Sequence, residues 1–115
     1  MSEHHAREHA RVDLRLSAEV HLQRADFTAV TRNLSEGGAA LECDRPLADG
    51  EQFNLSLFLV VEGVEDEQTP PLQVWARVMW TAEGDDGTHA AGVRFERMTP
   101  AQTAWLARVL SIAPH

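Results

Sequence analysis

Apolar and polar residues alternate along most of this chain. Val12, Leu14, Leu16, Ala18, Val20 and Leu22 are interleaved with Asp13, Arg15, Ser17, Glu19, His21 and Gln23. A period of two sends successive side chains to opposite faces, so the run predicts a strand with one buried face. Residues 27–33 read as a second strand, ended by the turn-forming Ser35-Glu36-Gly37-Gly38, and 39–42 as a short third. Arg45-Pro46-Leu47-Ala48-Asp49-Gly50 carries both a Pro and a Gly and reads as a turn. Phe53, Leu55, Leu57, Leu59 and Val61 predict a long fourth strand; Leu72, Val74, Ala76, Val78 and Trp80 a fifth; residues 91–96 a sixth. Residues 62–71 are acidic and read as a loose hairpin loop.

The period then changes. Thr99-Pro100-Ala101-Gln102 is a capping box with Pro at the first helical position, and Trp105, Leu106, Val109, Leu110 and Ile112 follow at helical spacing. A helix over 100–112 is expected to lay this stripe on the sheet, as a plug for an open barrel end. Short strands at regular spacing fit an antiparallel barrel or a sandwich. Trp75 and Trp80, five residues apart on one strand, should face opposite sides; Trp80 is expected in the core and Trp75 at the surface. Trp105 is expected to pack.

The chain has 115 residues, enough for one domain with a modest core. Its formal net charge of −8 argues against a general binder of nucleic-acid polymers. An anionic ligand would have to be small and met by a local cluster of arginines, which are all ten of the basic residues. Cys43 is the one cysteine and is expected to be a buried, inert thiol. No apolar stretch approaches the ~20 residues of a membrane span, and the first residues lack a secretory signal pattern, so a cytoplasmic protein is expected. No Ser-His-Asp arrangement on a recognisable elbow and no lysine-bearing phosphate loop is visible, and an enzyme is not expected. His5 and His9 have the i,i+4 spacing of a helical metal site, but no helix is predicted there and no carboxylate pattern supports one, so no metal is expected.

Two segments carry candidate chemistry. Arg7 and Arg11 stand before the first strand, and each guanidinium can donate two parallel hydrogen bonds to phosphate oxygens or to guanine O6 and N7. Asn33, Ser35, Gly37 and Gly38 close the second strand. The amide and hydroxyl can bond a base edge, and glycines permit positive φ and close backbone approach to a ligand. Singly, the first segment also reads as a solvated charged tail and the second as an ordinary strand-end turn.

In chain order, Arg7-x-x-x-Arg11, Asn33-x-Ser35-x-x-Gly38, Val78-x-Trp80 and Gly92-Val93-Arg94-Phe95, followed by a closing helix, resemble the PilZ domain family over essentially the full length. The resemblance implies a mainly all-β fold: a six-stranded antiparallel β-barrel over 12–115 with the C-terminal helix 100–112, preceded by a flexible arm, 1–11. It also implies a non-catalytic receptor for cyclic di-GMP. Arg7 and Arg11 would clamp phosphates and guanine Hoogsteen edges, Asn33 and Ser35 would hold the other guanine, and Gly38 would let the backbone come close. Ala6, His9, Gly37 and Gly92 would be secondary contacts. Ala6 stands where many members carry a further arginine associated with a stacked nucleotide dimer, so one nucleotide per domain is expected. Asn33 stands where the family allows Asp or Asn; an amide has one acceptor atom where a carboxylate has two, so modest affinity follows. The signal would pass to a separate effector protein, with no cofactor, no nucleic-acid polymer and no membrane involved, from a monomer or weak dimer. The alternative is a nucleotide-independent PilZ-type interaction adaptor, against which the intact motifs argue.

Overall fold

The computed structural model describes residues 16–61, 64–65 and 69–112. The candidate residues Ala6, Arg7, His9 and Arg11, the arm 1–11 and the first four positions of the expected first strand lie outside them. Among the described residues, eight strands and one helix are formed: β1 (Ser17–His21), β2 (Asp26–Leu34), β3 (Gly38–Cys43), β4 (Gln52–Phe58), β5 (Val60–Val61), β6 (Val64–Glu65), β7 (Leu72–Glu83), β8 (His89–Glu96) and α1 (Pro100–Ile112). Six of the strands close a barrel in the order β1-β2-β3-β8-β7-β4, every neighbouring pair antiparallel, and β5 pairs only with β6. Closure leaves the barrel without a free strand edge.

The alternation does what period two requires. Leu16, Ala18 and Val20 point inward from the first strand, and Phe53, Leu55 and Leu57 from the fourth, all within one buried cluster. Cys43 belongs to it at 5% exposure, and burial, ahead of the charges of Asp44 and Glu42, pushes its thiol up to about 11. The helix completes the cluster with Trp105, Leu106 and Val109. Its capping box is formed reciprocally: Gln102 N donates to Thr99 Oγ1 (3.2 Å), and Thr99 N donates to Gln102 Oε1 (2.7 Å). Trp105 Nε1 donates to Pro70 O (2.7 Å) and Gln102 Nε2 to Gln73 O (2.7 Å), which fix the helix to the start of β7.

Three expectations fail. The fourth strand ends at Phe58 rather than running on to Val61, although the alternation continues. Its partners run out: β1 ends its pairing at Ser17↔Phe58 and β7 begins at Leu72↔Leu57. Val60 and Val61 turn instead to β6. Second, Trp80 is not a core residue; it is 42% exposed. Strict alternation from Val74, Ala76 and Val78 would bury it, but β7 carries a β-bulge between Val78 and Trp80. The extra residue, Met79, reverses the parity and turns the indole outward. Trp75 is half-buried rather than a free patch, with the Arg97 guanidinium 5.8 Å from its ring centroid.

Candidate functional site

A second bulge does for β2 what the first does for β7. Thr31 pairs with Leu41, but Asn33 pairs with Ala40, so Arg32 is the extra residue. Phe27, Ala29 and Thr31 point inward, and unbroken alternation would send Asn33 after them. The bulge instead buries Leu34 completely and leaves Asn33 half-exposed on the outer wall. Bulges commonly re-aim one side chain at a functional surface.

The two re-aimed residues lie in one row. Asn33 pairs with Ala40, Ala40 with Gly92, and Gly92 with Trp80, crossing β2, β3, β8 and β7. With strands about 4.8 Å apart, this row spans about 14 Å of the outer wall. Its two central residues carry almost no side chain, so the row is a shallow shelf with an amide at one end and an indole at the other. Gly92 has a specific reason to be glycine: a Cβ there would occupy the space of Trp80 Nε1, Cδ1 and Cε2. The indole therefore lies down across Gly92.

Two residues further along β8 stands Arg94, on the same face and paired with Gly38 on one side and Arg77 on the other. Arg94 is 54% exposed. Both arginines lean on Glu96: Arg77 Nε donates to Oε2 at 2.9 Å, Arg94 to the same oxygen at 3.1 Å, and Gln52 Nε2 to Oε1 at 2.9 Å. These donors, Arg77 first, then Gln52 and Arg94, hold the Glu96 carboxyl down to about 2. One carboxylate thus faces two guanidinium groups, which leaves Arg94 with N–H donors to spare beside the shelf.

The turn that ends β2 is built by its own side chain. Ser35 Oγ donates to Gly38 O (3.3 Å) and accepts from Gly37 N (3.2 Å), while Ser35 N donates to Gly38 O (2.9 Å). One hydroxyl lone pair remains for anything else. Gly37 and Gly38 do not use the positive φ open to glycine; among the described glycines Gly50 and Gly87 do. Gly38 is fixed instead by strand packing, because a Cβ would collide with the Val93 carbonyl and Arg94 Cα of β8.

Of the residues singled out in the sequence, the structure brings Asn33, Ser35, Gly37, Gly38 and Gly92 onto one stretch of wall. Trp80 and Arg94 join them without having been read as site residues. Their signal was present but indirect: a glycine opposite a tryptophan, and an arginine two residues beyond it.

Elsewhere, His21 Nε2 and Ser56 Oγ share a hydrogen bond of 2.9 Å, and Asp26 Oδ1 lies 3.4 Å from His21 Nδ1. This is a Ser-His-Asp line, but Ser56 is only 3% exposed and sits mid-strand, paired with Glu19 and Gln73, with no elbow to present it. Among the described residues no group of three or more His, Cys, Asp or Glu could hold a metal ion, and no helix is long and apolar enough to cross a membrane.

Comparison with known proteins agrees with this architecture. The PilZ domain family model matches residues 5–111. Among solved structures, the PilZ domain of Escherichia coli YcgR with c-di-GMP is 16% identical, covers 91% of this chain and 88% of its own, and superposes with a TM-score of 0.73. The Bacillus subtilis inhibitor of motility MotI/DgrA is 18% identical over 91% of this chain and 50% of its own, with a TM-score of 0.72. The K. pneumonia MrkH–c-di-GMP complex is 14% identical over 91% of this chain and 51% of its own, with a TM-score of 0.70. The chain thus spans about half the length of the last two. No curated protein matches it. A family match across nearly all of the barrel and helix, on a closed six-stranded barrel of the same shape, leads to one conclusion: the chain belongs to the PilZ domain family.

Proposed function

We propose that this chain is a non-catalytic receptor for cyclic di-GMP that relays the signal to a separate partner protein. The observation that carries the reading is the pair of bulges that turns Asn33 and Trp80 out into one row, with Arg94 beside it. A flat, polar-ended shelf next to an exposed guanidinium suits a planar base joined to a phosphate. Trp80 offers a stacking face, worth about 1–3 kcal/mol per base. Asn33 offers one donor and one acceptor to a guanine edge, and Ser35 one remaining acceptor. Arg94 would be a third arginine for the phosphates beside Arg7 and Arg11.

The arm bearing those two arginines has the reach this requires. Leu16 is stitched to Thr31, its N–H donating to Thr31 Oγ1 (2.7 Å) and its carbonyl accepting from Thr31 N (2.9 Å), two residues from Asn33. Five residues of extended chain cover at most about 17 Å, so Arg11 can meet a ligand on the shelf. Arg7 and Arg11 close on the bound nucleotide, and one nucleotide per domain is taken. Titration calorimetry with cyclic di-GMP, with cyclic di-AMP and GTP as controls, tests the reading. Heat with cyclic di-GMP alone supports it; none at high micromolar ligand refutes it. Arg7→Ala and Arg11→Ala should each weaken binding about tenfold, the loss expected of one good bidentate pair.

A further inference from the structure

Arg94 stands beside the shelf but leans away from it. Gly92, Arg94 and Glu96 follow one another on the outer face of β8. Gly92 and Glu96 therefore lie on opposite sides of Arg94, each about 6.6 Å along the strand. Arg94 Nη2 donates to Glu96 Oε2 at 3.1 Å, which draws the guanidinium away from the Asn33–Trp80 row. Glu96 is the fixed member of this pair. Its side chain is 18% exposed against 54% for Arg94, and Arg77 Nε and Gln52 Nε2 hold it from the far side, both at 2.9 Å. If Arg94 swings off, Glu96 keeps those two donors. Toward the shelf, Arg94 has Gly38 and Ala40 as its β3 neighbours, so no long side chain of β3 blocks the swing.

We infer that Glu96 is a latch on the shelf: it holds Arg94 back in the free protein and releases it to the phosphates of a bound nucleotide, so that it limits the affinity of the site. The inference deepens the nucleotide reading of the shelf and rests on it. A ligand shifts a two-position group only by its differential affinity for the two positions. With Arg94 on Glu96 the phosphates lack one guanidinium; with Arg94 over the row they gain up to two parallel N–H donors. A partly exposed ion pair such as Arg94–Glu96 is weak, so the phosphate wins the exchange, and breaking the pair subtracts a small part of the binding free energy. Glu96 touches no ligand and acts through Arg94, as a positioning residue.

The test is calorimetry with cyclic di-GMP on the full chain, on Glu96→Gln, on Arg94→Ala and on the double variant, each paired with a thermal melt. Glu96→Gln keeps the shape of the side chain, so the fold is expected to survive. It should bind about two- to fivefold more tightly yet melt at a lower temperature, because the amide frees Arg94 and grips Arg77 less well. A merely structural Glu96 would lower both. Arg94→Ala should bind about tenfold more weakly, and Glu96→Gln should bring no gain in that background. An equal gain without Arg94 would mean that the carboxylate simply repels the phosphates, and would overturn the latch. Unchanged or weaker binding by Glu96→Gln, beside a wild type that binds, would overturn it too and leave the nucleotide reading standing. A wild type that does not bind would refute that reading, and the latch with it.

Discussion

Gly92→Ala is the sharpest perturbation of the shelf, because it adds one methyl group whose three nearest neighbours are all atoms of Trp80. The new Cβ would fall on the indole atoms Nε1, Cδ1 and Cε2. A buried ring so obstructed would cost about 1–3 kcal/mol of stability. Trp80 is 42% exposed, however, and its ring can swing toward solvent, so the folding cost should fall near about 1 kcal/mol, at the low end of that range. The ligand loses the stacking face instead. At about 1–3 kcal/mol per stacked base, cyclic di-GMP should bind roughly 5- to 150-fold more weakly. Calorimetry on the wild type, Gly92→Ala, Trp80→Ala and the double variant closes a thermodynamic cycle. If the methyl works through the indole, Gly92→Ala should have almost no further effect once Trp80 is alanine. Additive losses, or unchanged affinity in Gly92→Ala, would refute the idea that this glycine exists to let the indole lie flat.

Three further outcomes are expected. Thr99→Ala removes the cap that meets Gln102 N, and should cost about 1 kcal/mol and about 4 °C in a thermal melt. Glu96 titrates near 2 in the fold against an ordinary 4.5, so its contribution is full above about 4.5 and is lost as pH falls toward 2; acid denaturation of Glu96→Gln should lack that component, and an unchanged pH profile would contradict the Arg77–Glu96–Arg94 arrangement. The Cys43 thiol, buried and pushed up to about 11, should resist a thiol reagent at mildly alkaline pH until denaturant is added, and rapid reaction of the native protein would contradict its place in the core.

The strands and helix were legible because their cause is local. Period-two runs such as Leu16-Ala18-Val20 report a half-buried strand wherever it lies, and Thr99 with Gln102 announces a helix start within four residues. The bulges were not legible. A single extra residue, Arg32 or Met79, leaves no mark of its own in an alternating pattern, and its consequence is set by the neighbouring strand's register. For that reason Trp80 read as core, and the end of the fourth strand was misjudged, since it depends on where β1 and β7 stop. The polar turn was legible as a motif, but not the reason for Gly38, which is the approach of β8. Arg94 needed the barrel closed before it stood beside the shelf.

The most direct test of the central claim is a cyclic di-GMP titration of the full chain followed by amide and indole NMR signals. Asn33, Ser35, Ala40, Gly92 and the Trp80 indole N–H should shift together and saturate with one nucleotide per chain, while cyclic di-AMP leaves them in place. Binding that saturates without moving this row, or no binding at all, would contradict it.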